Sequence, residues 1–135
     1  MRKQYDLLDT HAFLWSMTRR SLTPAADAVF LDPDNPLYLS IASYWEVWIK
    51  LSLGKPALPD NWPEITERVM TVNAIHWLPI EPRHCREVIA LPYTGLPSGQ
   101  RDPFDRLLIA QARLEGLTLL SADPNFGGYD VAVVW

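Results

Sequence analysis

Short apolar runs alternate along the chain with longer stretches in which apolar residues recur at helical spacing. The short runs predict strands at residues 5–9, 37–40, 75–80, 117–120 and 129–134. The longer stretches predict helices at residues 10–17, 24–31, 41–53, 62–72, 82–90 and 103–115. A segment rich in proline, glycine and serine, at residues 92–101, predicts a loop.

The regular alternation of strands with helices predicts an α/β fold. Because the strands are short and apolar, we expect a central parallel sheet with helices on both faces. In open sheets of this kind, ligands bind beyond the carboxyl ends of the strands. The 135 residues show no internal repeat and no linker, so we expect a single domain spanning residues 1–135.

Composition and charge narrow the class of protein. Cys85 is the single cysteine, which excludes an intrachain disulfide and a cysteine-rich metal cage and makes the cytoplasm the expected compartment. The apolar runs are far shorter than the roughly 20 residues that span a bilayer, so we expect no membrane segment. The net charge of -4 argues against binding of nucleic acid by general electrostatic attraction. A nucleic-acid substrate would need an arginine patch, a basic partner or a divalent cation between carboxylates and phosphate.

Two aspartates follow predicted strands. Asp9 ends the first strand, and Asp123 comes shortly after the strand at 117–120, so we expect both at the carboxyl edge of the sheet. The structural alternative is that each begins a turn or caps the next helix, as aspartate often does. The sequence pattern leaves both interpretations open.

Glu46 interrupts an apolar helix face. Residues 42, 45, 46, 49 and 53 form one helical stripe that reads Ala, Trp, Glu, Ile, Leu. Burying an unpaired carboxylate costs several kcal/mol, so Glu46 would need a metal ion or a basic partner. Lys50 is the structural alternative, but an exposed pair at this spacing contributes only about 0.2 to 0.5 kcal/mol.

A second helix begins its inward stripe with an acid. Residues 105, 108, 109 and 112 read Asp, Leu, Ile, Ala, and this apolar context favours a functional role for Asp105. An acid at the third helical position also interacts favourably with the helix dipole. Asp102 lies directly before Pro103, and this pattern favours a helix N-cap.

Several carboxylates at one sheet edge suit a hard cation. Mg²⁺ and Mn²⁺ prefer oxygen ligands, bridge to phosphate groups and lower the pKa of a bound water. Without a cation, clustered carboxylates repel one another and their pKa values rise. The pattern is therefore typical of a metal-dependent phosphodiester hydrolase.

Three stretches of the chain carry a family resemblance: LLDTH at 7–11, followed by Leu14-Trp15, then SIASYWEVWIKLSLGK at 40–55 and RDPFDRLLIAQARLEGLTLLSAD at 101–123. In this order they resemble the PIN domain family and, within it, the VapC-like toxins of bacterial type II toxin-antitoxin pairs. The resemblance implies a three-layer α/β/α sandwich with a central parallel sheet. It also implies an endoribonuclease whose acids bind Mg²⁺ or Mn²⁺ and activate a water molecule for in-line attack on an RNA phosphodiester.

The resemblance assigns roles to individual acids. Asp9, Glu46 and Asp105 match the first three acids of the family, and Asp123 matches the more variable fourth. All four are implied to be catalytic and to bind the metal. Asp102 matches an acid that is often found beside the third one, and we expect it to act at most indirectly.

Other polar residues lie close to the matched acids. Thr10 and Ser43 are candidates for hydrogen bonds to the acids or to metal-bound water, with ordinary capping as the alternative. Arg101 and Arg106 flank the third acid and are candidates for phosphate contacts, with solvation at the surface as the alternative. His11 follows the first acid and is interpreted as structural. Three tryptophans are interpreted as core or interface residues rather than base-stacking platforms: Trp15, Trp45 and Trp48.

The resemblance also implies partners. Members of the family form homodimers and pair with a cognate antitoxin protein whose tail covers the active site. The acidic charge balance of this chain suits a basic partner segment. RNA substrates within the family include particular tRNA and rRNA sites, and the sequence does not select among them.

Three alternatives remain open from the sequence. A phosphoryl-transfer domain of the receiver or phosphatase kind also places aspartates at strand ends. It fits less well, because His11 stands where such a phosphatase has a second aspartate and the last lysine, Lys55, is too early for a receiver. The other two alternatives are a non-catalytic interaction module with a PIN fold and a metal-dependent DNA nuclease.

Overall fold

The computed structural model describes residues 5–18, 23–54, 60–91, 102–123, 126 and 129–135, with side chains described up to residue 15 in the first range. Its strands are β1 (Asp6–Leu8), β2 (Leu37–Ser40), β3 (Ile75–Leu78), β4 (Thr118–Leu120) and β5 (Val133–Val134). Its helices are α1 (Thr10–Thr18), α2 (Pro24–Leu31), α3 (Ile41–Ser52), α4 (Trp62–Val72), α5 (Pro82–Glu87) and α6 (Pro103–Glu115). None of these helices has the length and apolar character needed to cross a bilayer.

The described strands form one sheet in the order β3-β2-β1-β4-β5, and every neighbouring pair is parallel. The chain winds from β1 through β2 to β3 and then returns to place β4 on the other side of β1. The strand order therefore reverses between β1 and β4. In open α/β sheets this reversal opens a crevice at the carboxyl edge, where ligands bind.

Each face of the sheet carries its own apolar core, because successive side chains of a strand point to opposite faces. Leu7 and Leu119 belong to one core and pack with α6, while Leu8 and Leu120 belong to the other. The second core is completed by side chains from α1, α2 and α4, namely Ala12, Phe13, Ala26 and Met70. The predicted arrangement of helices on both faces of a parallel sheet is confirmed.

The predicted and observed bounds differ most for two elements. The helix predicted at 82–90 continues beyond α5 only as a 3-10 turn, Val88–Ala90, which leads into the buried Leu91. The strand predicted at 129–134 shrinks to β5, because Tyr129 and Val131 form turns: Tyr129 N–H donates to the Phe126 carbonyl and Val131 N–H to the Tyr129 carbonyl. The predicted loop at 92–101 lies outside the described residues.

Gly116 ends α6 in the left-handed conformation, with a φ of 67°. A Cβ at this position would meet nothing within 4 Å, so an alanine would introduce backbone strain without a clash. We expect Gly116→Ala to lower the free energy of unfolding by about 1 kcal/mol, measured by urea denaturation. Gly116→Asn is the matched control and should lose less, because asparagine tolerates this conformation better. An alanine variant as stable as wild type would contradict the assignment of strain.

Candidate active site

Asp9 leaves β1 at the centre of the carboxyl edge, where its side chain is 3% exposed. Its Oδ1 accepts the N–H of Ala12 at 2.7 Å, and its Oδ2 accepts the Ser121 hydroxyl at 2.5 Å. Burial raises the pKa of Asp9, although the two hydrogen bonds oppose this shift. The carboxylate is thus fixed in orientation and removed from bulk water.

Ser121 is a site residue that the sequence reasoning missed. Leu8 of β1 pairs in register with Leu120 of β4, so the next residue of each strand, Asp9 and Ser121, emerges at the same level. Ser121 also accepts the N–H of Asp123 at 3.0 Å, which links the two aspartates through one hydroxyl. The signal that could have revealed it is the strand register, which depends on residues more than a hundred positions apart.

Glu46 projects from α3 with an exposure of 5%. The Thr10 hydroxyl donates to its Oε1 at 2.6 Å, and the Nζ of Lys50 lies 2.9 Å from its Oε2. The glutamate is therefore both buried, as the apolar context suggested, and paired with Lys50, as the structural alternative proposed. Thr10 makes the hydrogen bond that was expected of it.

The buried face of α3 differs from the predicted stripe. Trp45 is 59% exposed and Leu53 is also exposed, so these two predictions were wrong. The buried residues are Ala42, Ser43, Glu46 and Val47. α3 packs against α1 and α6, and the small side chains of Ala42 and Ser43 permit this close approach.

Asp105 lies in the first turn of α6, and its pKa is raised to about 7. Burial is the largest cause, and the negative charges of four neighbouring carboxylates add to it in the order Asp102, Glu46, Asp123 and Asp9. The structure therefore places four carboxylates close enough to Asp105 to raise its pKa, and the five residues together are here called the acid cluster. The convergence predicted from sequence for the four matched acids is present in the geometry.

Asp102 has the capping role that its position before Pro103 predicted. Its Oδ1 accepts the N–H of Phe104 at 2.8 Å and that of Asp105 at 3.2 Å. After burial, the charge of the same carboxylate makes the largest contribution to the raised pKa of Asp105. Asp102 thus holds Asp105 in place while disfavouring its ionisation.

Arg106 does not occupy the surface position that a phosphate contact requires. Its side chain is 2% exposed. Its Nη2 donates to the carbonyls of Val88 and Leu91, and its Nη1 donates to the Tyr129 hydroxyl. The guanidinium therefore joins α6 to the turn after α5, and the expected phosphate contact is replaced by this internal role. Arg101, the other candidate, lies outside the described residues.

A compact group of metal-ligating side chains lies elsewhere. Among the described residues, Glu81, His84 and Glu115 have ligand atoms within 4.8 Å of one another, whereas the acid cluster is more open. Glu81 N–H donates to His84 Nδ1 at 3.0 Å, so Nε2 carries the proton and donates to Glu115 at 2.8 Å. Arg83 pairs with both glutamates. Arg83 thus offsets one of the two glutamate charges, and the neutral histidine has no nitrogen left for a metal.

The acid cluster has the donor chemistry that a hard divalent cation requires. Its oxygens come from the carboxylates of Asp9, Glu46 and Asp105, with the Thr10 hydroxyl beside them. The pKa of Asp105 is raised first by burial, and the negative charges of four neighbouring carboxylates raise it further. Ser43, one turn before Glu46 on α3, is fully buried with a hydroxyl that has no hydrogen-bond partner among the described residues. These observations fit a bound cation better than a purely structural set of caps.

The PIN domain family matches residues 7–132, and the chain belongs to this family. Solved structures with a similar fold include VapBC2 from Rickettsia felis bound to a DNA fragment from their promoter, with a TM-score of 0.69, 14% identity and coverage of 96% of this chain and 97% of that chain. FitAcB from Neisseria gonorrhoeae has a TM-score of 0.63 and 22% identity, with coverage of 95% of this chain and 95% of that chain. PAE2754 from Pyrobaculum aerophilum has a TM-score of 0.58 and 16% identity, with coverage of 97% of this chain and 83% of that chain. No curated protein sequence matches this chain.

We expect Asp105→Asn to stabilise the metal-free protein at neutral and alkaline pH. The folded state holds the Asp105 proton up to about pH 7, whereas the unfolded chain releases it near its ordinary pKa of 3.8. The free energy of unfolding of wild type should therefore fall as the pH rises from about 4 to about 7. Above that range the loss is complete, because Asp105 is ionised in both the folded and the unfolded state. The variant should escape this loss and be more stable at pH 8 by about 1 to 3 kcal/mol.

Urea denaturation in EDTA across this pH range measures the difference. The two proteins should converge towards pH 4, and Mg²⁺ should stabilise wild type more than the variant. A variant that is less stable than wild type at pH 8 would assign Asp105 to helix stabilisation alone.

We expect Arg106→Met to lower the free energy of unfolding by about 2 to 4 kcal/mol, because two buried acceptors and one partly buried acceptor lose the hydrogen bond from the guanidinium. The readout is urea denaturation, with Arg113→Met on the same helix as a partly exposed control. Unchanged stability would contradict the internal role and return Arg106 to the candidates for phosphate binding.

Proposed function

We propose that this protein is a Mg²⁺- or Mn²⁺-dependent endoribonuclease that acts as the toxin of a type II toxin-antitoxin pair. It hydrolyses RNA phosphodiester bonds at the acid cluster. The observation that carries the proposal is the crowding of four carboxylates around Asp105, at the point where the strand order of a PIN domain reverses.

Asp9, Glu46 and Asp105 would hold the cation, with Asp123 completing the set. A bound divalent cation supplies a water of lowered pKa and neutralises charge on the phosphate. The chain's own residues orient the ligands. Ser121 and the N–H of Ala12 fix Asp9, and Thr10 fixes Glu46.

Other groups act through the ligands. Lys50 balances one Glu46 oxygen, and Asp102 positions Asp105 through its cap. The burial of Asp9 and Glu46 excludes water from the ligand set and strengthens the electrostatic interactions within it. This reaction requires no covalent intermediate with a protein side chain.

The choice of RNA and of the toxin role rests on family relationship. PIN domains are generally nucleases, and the three matched sequence stretches resemble VapC-like toxins in particular. The similar folds include VapBC2 and FitAcB, which belong to toxin-antitoxin systems. The two structural matches cover 96% and 95% of this chain, so the similarity extends over nearly the whole fold.

The proposed partners follow from the same reasoning. A cognate antitoxin with a basic segment suits a chain of net charge -4 that gathers its acids at one edge. We also propose a homodimer and a cytoplasmic location. Particular tRNA or rRNA sites are the proposed substrates.

Purified wild type should cut total cellular RNA into discrete fragments when Mg²⁺ or Mn²⁺ is present. EDTA should abolish the cleavage, and Asp9→Asn should reduce it by about 100-fold or more, because the fixed carboxylate at the centre of the site is lost. Asp27→Asn changes an exposed acid in the first turn of α2 that does not belong to the acid cluster, and it is the matched control.

A parallel panel of single- and double-stranded DNA separates the alternatives. Metal-dependent cleavage of DNA with intact RNA would replace the ribonuclease by a DNA nuclease. Intact RNA and intact DNA, in a preparation free of bound partner, would favour the non-catalytic interaction module. Cleavage that persists in Asp9→Asn would contradict the site itself.

A further inference from the structure

A small cavity of about 210 Å³ opens beside the acid cluster, next to the first turns of α1. Its lining residues are Asp9, His11, Trp15, Ala122 and Asp123. Pockets for drug-sized ligands measure about 300 to 1,000 Å³. This cavity is therefore suited to one ring system, and two of its lining residues belong to the acid cluster.

The aromatic lining of the cavity comes from α1. His11 and Trp15 are four residues apart, so they lie on the same helix face, and their ring centroids are 6.3 Å apart. The indole of Trp15 also packs against Trp135, with centroids 5.0 Å apart. Trp15 is thus held on one side while it remains partly exposed towards the cavity, and His11 is exposed.

The charge of the lining selects the kind of ligand. Among the described residues, the lining contains no lysine or arginine, so a phosphate group would find no basic side chain of these in the cavity itself. A nucleobase is uncharged, presents a π-face to an indole and carries edge groups that an imidazole such as that of His11 can hydrogen-bond. The cavity therefore matches a base, while the neighbouring acid cluster matches the phosphodiester.

We propose that this cavity binds one unpaired nucleobase of the RNA substrate, stacked on Trp15 and hydrogen-bonded by His11. The inference rests on the proposed ribonuclease function and adds a specificity site to it. Recognition of RNA by sequence usually targets splayed, single-stranded bases on aromatic side chains. Loss of one such stack weakens binding by about 5- to 150-fold.

Binding can be measured without cleavage. In the Asp105→Asn variant with Mg²⁺, short single-stranded RNA of mixed sequence should shift the indole N–H resonance of Trp15. That resonance is assigned as the one missing from the spectrum of a Trp15→Phe variant. The resonance of Trp77, a half-exposed tryptophan on β3, should not move. A ribose-phosphate chain of the same length without bases should leave the Trp15 resonance in place.

Cleavage kinetics supply the second readout. On the RNA that wild type cuts, Trp15→Ala should lower kcat/KM by about 5- to 150-fold, mainly through a higher KM, and Trp15→Phe should restore much of the loss. On the same RNA made abasic at the nucleotide next to the cut, wild type and Trp15→Ala should be equal. Trp77→Ala is the matched control for loss of an indole.

The outcomes separate this inference from the proposed function. A Trp15 resonance that shifts with RNA, in a protein whose wild type cleaves no RNA, would support the base site and contradict the ribonuclease. An unshifted resonance, or a Trp15→Ala variant with unchanged kinetics, would overturn the base site while leaving the ribonuclease intact. An equal loss on abasic and intact RNA would make Trp15 structural. If Trp15→Ala abolished binding of a protein partner but left RNA cleavage unchanged, the cavity would be assigned to that partner and the proposal would also be overturned.

Discussion

The parallel pairing of β1 with β2 on one side and β4 on the other determines where the candidate active-site residues lie. Leu8 is in register with Leu39 and with Leu120, so the chain leaves all three strands at one level of the sheet. A shift of one residue would turn the side chains of β1 to the opposite faces and separate Asp9 from Ser121. The two apolar cores, which bury Leu7 and Leu8 on opposite faces, prevent that shift.

The acid cluster distributes its electrostatic cost unevenly. Asp9 and Glu46 are almost fully buried, and each accepts two polar contacts from neighbouring groups. Asp105 is less buried than these two, and its pKa is raised to about 7 first by burial and then by repulsion from the other carboxylates. One partly exposed group can take up a proton when no cation is bound, so the fold tolerates a cluster that would otherwise oppose it.

Local patterns in the sequence were enough to predict the order of the strands and helices and to select the acidic residues of the acid cluster. The cap of α6 by Asp102, which lies directly before Pro103, follows from residues next to each other in the chain. The burial of Arg106 was not predictable in this way, because its acceptors come from Val88 and Leu91 and reach it only in the folded state.

Residues whose environment depends on tertiary packing gave the wrong predictions. The inward face of α3 is set by its contacts with α1 and α6, and this rotates Trp45 towards solvent. Sequence periodicity shows that a helix has an apolar side. In α3, however, Tyr44 and Trp48 also form a second, smaller apolar cluster with Trp62 of α4. The two apolar sides cannot be separated by spacing alone.

The burial of Arg106 bears on how a ribonuclease of this charge would gain affinity for RNA. Its guanidinium is committed to Val88, Leu91 and Tyr129, so it adds nothing to the surface that meets a phosphate. The acid cluster itself repels the RNA backbone until a cation is bound. Under the proposed function, contacts to bases must then supply a larger share of the binding energy than contacts to phosphates. Because base contacts carry sequence information and phosphate contacts do not, an acidic PIN nuclease with an aromatic cavity beside its ligands is constrained towards a narrow set of RNA sites.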